Sequence, residues 1–134
     1  MDEIIEYLTS IPAWYLATCE GDQPRVRPFS FVAKDKGKLW FCTATNKDVY
    51  FQLKENPKFE LCGWKPGFGW IVVTGVASMV DKVSAETRKE GYRHMTALGE
   101  SYDGPNDERL TFFSLEKGTA KLADIDGSER IIEI

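Results

Sequence analysis

The chain has 134 residues, of which 43% are apolar, 28% charged and 13% aromatic, and its net charge is −4. This length and composition predict one globular domain, 1–134, with a modest core of its own. The acidic balance argues against a nucleic-acid partner, because phosphate-binding surfaces carry a basic excess. No basic, apolar leader opens the sequence and no apolar run could cross a bilayer, so we expect a cytoplasmic protein without membrane association.

The residues that most often hold metals do not cluster in this sequence. Cys19, Cys42 and Cys62 lie far apart and form no CxxC pair, which favours reduced, buried thiols over disulfides or a zinc site. The single histidine, His94, has no second histidine or suitably spaced carboxylate beside it. The sequence therefore predicts no metal site, and it contains no Walker, dinucleotide or Gly-x-Ser-x-Gly motif.

The first half of the chain predicts two helices separated by three strands. Apolar side chains recur at helical spacing over 2–9, and Pro12 follows them. Runs of strand-forming residues between turn residues predict the three strands. These strands cover 14–19, 25–33 and 39–43. Helical spacing then returns over 45–55 and ends before Pro57.

The second half predicts two strands, a helix and a last hairpin. Strands over 59–64 and 70–80 flank a glycine-rich turn, and Ser84 caps a helix over 84–98. After a loop over 99–107, strands over 110–115 and 119–124 form the hairpin. Short strands joined by tight turns favour a barrel, because closure removes exposed edges. We therefore predict a mainly antiparallel barrel of six to seven strands with flanking helices.

Two arginines mark the strand predicted over 25–33. Alternation places Arg25, Arg27 and Phe29 on one face, and Pro28 lacks the amide hydrogen of a ladder, so it fits an edge or an opened seam. Two guanidinium groups can form a fork for a phosphate group. Two solvent-facing arginines would give the same pattern, and this stretch alone does not decide between the two interpretations.

A second anion-binding element lies where the strand over 39–43 leads into a helix. Thr45 or Asn46 can cap that helix, leaving free amide groups and the positive end of the helix dipole beside Lys47. Such a helix terminus is suited to anions, although an ordinary capped surface helix explains the stretch by itself. Together with Arg27 on the neighbouring strand, the pattern predicts a phosphate pocket.

Two tryptophans flank the glycine-rich turn that precedes the strand over 70–80. Trp64 and Trp70 could form the wall of a site for a flat ligand at the rim of the barrel. Each tryptophan could equally well be an ordinary aromatic side chain packed in the core or in a dimer interface.

Four stretches, in their order and spacing, resemble the pyridoxamine 5′-phosphate oxidase-like FMN-binding split-barrel proteins. They are GDQPRVRPF over 21–29, the strand and turn over 39–46, the helix over 48–57 that ends in LKENP, and VVTG over 72–75. The chain is most similar to short, stand-alone members and to nitroimidazole-resistance-type members. The resemblance implies a split β-barrel and a homodimer that holds FMN in clefts between its subunits.

The resemblance also implies which residues contact FMN. At the phosphate end it places Arg27, Thr43, Asn46 and Lys47. Pro28, Phe29 and Ser30 would run along the isoalloxazine edge through backbone contacts, and Trp70 would reach the flavin from the partner subunit.

The sequence departs from the true oxidase in two places. Asp48 and Val49 stand where the oxidase has an Arg-Lys pair, so Lys47 alone has to replace that pair in binding the phosphate. The oxidase's substrate-binding C-terminal segment has no counterpart. We therefore expect an FMN-dependent oxidoreductase for a small organic substrate other than pyridoxamine 5′-phosphate. No side chain is marked as its acid or base, so the catalytic residues stay unassigned.

Two alternatives to this function stay open at the level of the sequence. The first is a flavin store or sensor that binds the cofactor without turnover. The second exchanges FMN for a deazaflavin or for haem, and haem is disfavoured because His94 alone could ligate it. In each case the cofactor would carry the chemistry and the protein would supply orientation and electrostatics.

Overall fold

The computed structural model describes residues 1–134 as three helices and one antiparallel sheet of eight strands. The elements are α1 (Asp2–Thr9), β1 (Trp14–Glu20), β2 (Gln23–Phe29), β3 (Val32–Asp35), β4 (Lys38–Ala44), α2 (Asp48–Glu55), β5 (Lys58–Lys65), β6 (Gly69–Ser78), α3 (Ala85–Ala97), β7 (Leu110–Asp124) and β8 (Glu129–Glu133). The strand order is β2-β1-β5-β6-β7-β4-β3, and β8 pairs with β7 outside this path. No helix has the length and apolar character that crossing a membrane requires.

The connection between β2 and β3 shows that the sheet curls into a barrel. These strands lie at opposite ends of the strand order, yet only Ser30 and Phe31 separate them in the chain. The two edges of the sheet must therefore meet. β2 pairs with β1 and β3 with β4, so no ladder closes the seam between the edges. The predicted split barrel is confirmed, and its opening lies at Ser30 and Phe31.

The prediction of one strand over 25–33 is wrong, because this stretch contributes to two strands. Phe29 pairs with Trp14 on β1, whereas Val32 pairs with Phe41 on β4. A run of strand-forming residues predicts extended backbone but not the neighbour to which that backbone bonds. The step at Ser30 therefore could not be seen in the pattern.

The prediction of a hairpin over 110–124 is also wrong, because β7 is one strand of 15 residues with a bulge. Its register with β6 shifts between Val76 and Ala77, and Glu116 has no partner on β6. Gly118 lies opposite Gly75, and a Cβ on Gly118 would come within 2.2 Å of a β6 carbonyl oxygen. Gly118 therefore permits a close approach of two backbones rather than a reversal of the chain.

The sequence pattern predicted no element after residue 124, where the structure has β8. Asp126 and Gly127 form the turn that returns the chain, with Gly127 at φ 92°. An Asp-Gly pair is a known signal for a tight hairpin, so this strand could have been found.

N-caps were predicted for helices α3 and α2, and the structure has only the first of them. The Ser84 cap is confirmed, because its hydroxyl accepts a hydrogen bond from the Thr87 amide at 3.2 Å. The predicted cap of α2 by Thr45 or Asn46 is wrong, since α2 starts at Asp48 with Lys47 as its N-cap and no side-chain capping bond. The Thr45 amide instead donates to the Arg109 carbonyl oxygen at 2.8 Å, which extends the β4–β7 pairing.

The core fills the interior of the barrel and leaves no room for a ligand there. Trp14, Phe41 and Phe113 are fully or almost fully buried, and the Phe41 and Phe113 rings stack at 5.2 Å. A second, smaller cluster lies under α3 and consists of Phe31, Trp40, Cys42, Met95, Leu110 and Phe112. Any cofactor must therefore bind on the outside of the barrel.

The expectation of buried thiols holds for only one cysteine. Cys42 is buried, and burial raises the pKa of its thiol to about 12. Cys19 is half-buried, and Cys62 is exposed because it lies on the outward side of β5.

Candidate functional site

A cavity of about 780 Å³ lies beside β2, close to the seam of the barrel. Side chains from β2, the end of β4, α2 and the end of α3 line it. Six of the eight residues predicted to bind a cofactor line this cavity: Arg27, Pro28, Phe29, Ser30, Thr43 and Lys47. Asn46 is exposed beside the start of α2, and Trp70 lies on the outer face of β6; neither lines the cavity.

Arg27 carries a half-buried positive charge that no carboxylate contacts. Its guanidinium donates to the Leu16 carbonyl oxygen at 3.2 Å, to Thr18 Oγ1 at 2.7 Å and to Gln52 Oε1 at 2.5 Å. All three acceptors are neutral. Burial lowers the pKa of Arg27, and the charge of Asp48 acts against that effect. A charge in this position is stabilised by an anion that enters the cavity.

Thr43 lines the same cavity and has a hydroxyl without a partner. Its Oγ1 is buried and makes no hydrogen bond within the chain. A buried polar group without a partner costs about 1–3 kcal/mol, so native structures contain few of them. A ligand that accepts a hydrogen bond from Thr43 removes this cost.

The other two cations of the cavity already have counter-ions. Arg25 pairs with Glu20 at 2.9 Å, and both side chains are about half exposed. Lys47 pairs with Glu100, which follows α3 and also lines the cavity. An anion therefore meets one uncompensated charge, at Arg27, and competes with Glu100 for Lys47.

The amide groups at the start of α2 have no side-chain cap. They favour an anion, although Asp48 in the first turn reduces that effect. This terminus adds to the contributions of Arg27 and Thr43 rather than forming a site of its own.

A serine and a histidine meet where β2 ends. Ser30 Oγ lies 2.7 Å from His94 Nε2, and Ser30 lines the cavity. The His94 ring packs on Phe31 with their centroids 5.5 Å apart, and burial lowers the pKa of His94. The sequence placed no function on His94, because nothing in the pattern connects two residues that are 64 positions apart.

Sequence reasoning also missed Gln52, the residue that joins α2 to Arg27. Gln52 is buried between Val49 and Leu53 on the inward side of α2. A polar residue at an apolar position of a helix was the available signal, since buried amides need partners. The end of α3 was missed as well, although Met95 and Leu98 line the cavity.

The outer face of the sheet next to the cavity is apolar and exposed. Trp64 and Trp70 are direct cross-strand neighbours on this face, with exposed fractions of 66% and 43%. Tyr15 and Val26 extend the patch across β1 and β2, and Val26 also lines the cavity. The cavity and the apolar face therefore share the β2 edge.

The sequence matches the family model described as pyridoxamine 5′-phosphate oxidase over residues 1–121. The chain belongs to the pyridoxamine 5′-phosphate oxidase family. The resemblance drawn from the four stretches is thereby confirmed. No curated protein matches the sequence.

Several solved structures share the fold. A NimC/NimA family protein of Clostridium acetobutylicum is 30% identical with a TM-score of 0.86, over 100% of this chain and 92% of that one. General stress protein 26 of Bacillus anthracis is 16% identical with a TM-score of 0.72, over 97% of each chain. A pyridoxamine 5′-phosphate oxidase-related, FMN binding protein of Nostoc punctiforme is 12% identical with a TM-score of 0.55, over 99% of this chain and 90% of that one.

Proposed function

We propose that this chain binds FMN in the cavity beside β2 and acts as a flavin-dependent oxidoreductase on a small organic substrate. The observation that carries the proposal is the half-buried charge of Arg27, which no carboxylate contacts, in a cavity that is also lined by Thr43 with its partnerless hydroxyl. The residues present therefore fit a phosphate group. Family membership and the FMN binding protein of Nostoc punctiforme support the choice of a flavin.

The length and character of the cavity support a ligand with a phosphate at one end and a ring at the other. Arg27 lies on β2 and Ser30 follows the end of that strand, so their backbones are at most about 10 Å apart. Phe29, Met95 and Leu98 supply apolar surface to the cavity, as planar ligands require. The spacing suits a ribityl chain with its phosphate near Arg27 and its ring near Ser30.

The exposed apolar face supports a homodimer that completes the site. A patch containing Tyr15, Trp64 and Trp70 is unusual on the surface of a monomer and typical of an interface. A second copy seated on this face would also cover the β2 edge of the cavity. One subunit leaves the cavity open along that edge, whereas good sites bury about 70–90% of their ligand.

The roles of the individual residues follow from this placement. Arg27, Thr43 and Lys47 bind the phosphate, and Phe29 and Leu98 exclude water from the ring. When bound, FMN supplies hydride or single-electron transfer.

Absorption spectroscopy of the purified protein tests the proposal. A flavin spectrum with one FMN per chain is expected, and anaerobic NAD(P)H should bleach it at catalytic rates. Bound FMN that NAD(P)H bleaches only slowly or not at all would instead identify a store or sensor. Absence of flavin affinity in a folded protein would contradict the proposal altogether.

A further inference from the structure

A polar contact at the seam joins Ser30 to His94. Ser30 lies in the two-residue step between β2 and β3, outside either ladder, and its hydroxyl lies 2.7 Å from His94 Nε2. Both residues are half-buried, and Ser30 lines the cavity. The proposed phosphate contacts do not involve this pair, which lies at the other end of the β2 edge.

The fold holds His94 firmly in this position. Gly91, one turn earlier on α3, lies so close to Phe112 that a Cβ would come within 2.4 Å of that ring. Phe112 is fully buried, and the His94 ring itself packs on Phe31. α3 is therefore fixed against the barrel at the turn that carries the imidazole, and the pair is preorganised.

We propose that Ser30 and His94 form a hydrogen-bonding pair for the ring of the bound flavin, in which Ser30 contacts the ring and His94 positions the Ser30 hydroxyl. This inference rests on the proposed binding of a flavin and assigns a role to the one histidine of the chain. His94 is thus a positioning residue, because it acts through Ser30.

A neutral imidazole makes the pair adaptable. Burial keeps His94 in its neutral form, and Nε2 of a neutral imidazole is either an acceptor or a donor, depending on the tautomer. When Nε2 accepts from Ser30, the serine oxygen is free to accept a hydrogen bond from a ligand. When Nε2 donates, the serine hydroxyl is free to donate. The pair can therefore meet both the acceptor and the donor groups on the edge of an isoalloxazine ring.

Parallel titrations with FMN and riboflavin test the pair, because the two ligands share the ring and only FMN has the phosphate. Ser30→Ala and His94→Phe should each weaken both ligands by the same factor, about three- to tenfold for one lost hydrogen bond. His94→Gln, which keeps a polar atom near the position of Nε2, should remain near wild type. Arg27→Ala should weaken FMN alone, and Thr96→Ala, at an exposed position on α3, is the matched control.

Nuclear magnetic resonance gives a second readout that does not depend on turnover and that the wild-type protein alone can contradict. Because the chain has one histidine, its imidazole Cε1 proton gives a single signal. At saturation, riboflavin should shift this signal in the wild type and shift it less in Ser30→Ala. Flavin binding that is unchanged in Ser30→Ala and His94→Phe, or that leaves the wild-type signal unmoved, would overturn the pair. A wild-type protein that binds neither ligand would instead overturn the proposed function, and the pair with it.

Discussion

Glu100 determines how much of the positive charge of the cavity is available to an anion, since its carboxylate pairs with Lys47. We predict that Glu100→Gln binds FMN more tightly than the wild type, by up to about fivefold, because a partly exposed ion pair is worth up to about 1 kcal/mol. The gain should shrink as the salt concentration rises. Fluorescence titration with FMN measures it. Glu20→Gln, which frees the more exposed Arg25, is the matched control and should have a smaller effect. An affinity unchanged in Glu100→Gln would show that Lys47 does not reach the ligand.

His94 makes the free energy of unfolding depend on pH. Burial lowers its pKa in the folded chain below the ordinary value of 6.5. Above 6.5 both states are neutral and His94 contributes nothing. As the pH falls below 6.5, the unfolded chain takes up a proton that the folded chain does not, so the folded state loses stability. His94→Gln should lack this contribution. When the pH is lowered through 6.5, the urea concentration at the midpoint of unfolding should therefore fall less for this variant than for the wild type. An equal pH dependence of the midpoint in the two proteins would contradict the lowered pKa of His94.

At the scale of single residues, the sequence supplied the residue types of the site but not their partners. Alternation placed Arg25 and Arg27 on one face, and both line the cavity. It could not show that Glu20 neutralises the first while neutral oxygens hold the second. The partners of Arg27 depend on how β1 and α2 pack against β2, which local patterns do not encode.

At the scale of elements, helix α3 is the piece whose placement the site needs most. Gly91→Ala should gain up to about 1 kcal/mol from helix propensity. The added methyl group, however, would meet the ring of the fully buried Phe112, which cannot move aside. Such overpacking costs about 1–3 kcal/mol, so we predict a net loss of stability and a displaced His94. Thermal unfolding measures the loss, with Thr96→Ala as the control. A Tm above that of the wild type would contradict the close approach of Gly91 to the Phe112 ring.

The elements themselves were largely predictable, and three of the errors share one cause. Helices α1 and α3 and strands β1, β4, β5 and β6 follow from spacing and turn residues within short windows. The failures were the break at Ser30, the bulge at Glu116 and the cap at Thr45. Each of these three depends on which distant strand lies alongside, and that information is absent from any local window. The missing strand β8 is a different case, because its Asp-Gly turn is a local signal.

At the scale of the whole molecule, the exposed tryptophans predict a dimer. Trp70→Glu places a charge in the proposed interface, where it would have to be buried without a partner. We expect the variant to sediment as a monomer at micromolar concentration and to lose most of its FMN. Val80→Glu, which alters an apolar residue that is 56% exposed beyond β6, should remain dimeric. A wild-type monomer that keeps FMN fully bound would contradict the shared site.

The sequence predicted the class of fold, a closed barrel, but not the place where the barrel is split. The sequence favoured a barrel because short strands and tight turns avoid open edges. Its split nature came from the resemblance, and its position became clear only when the strand order placed β2 and β3 at opposite ends of the sheet. The seam in turn determines where the cavity lies, so the site could be described from the sequence by residue type but not located.

The central claim is that the cavity recognises the phosphate of FMN through Arg27, and one pair of titrations tests it most directly. The wild-type protein, freed of bound flavin, is titrated with FMN and with riboflavin, and Arg27→Ala is titrated in the same way. We predict that the wild type binds FMN far more tightly than riboflavin. Arg27→Ala should lose at least about tenfold in FMN affinity, as expected for a charge-assisted contact, while its affinity for riboflavin stays the same. Equal affinities of the wild type for the two flavins would contradict the account.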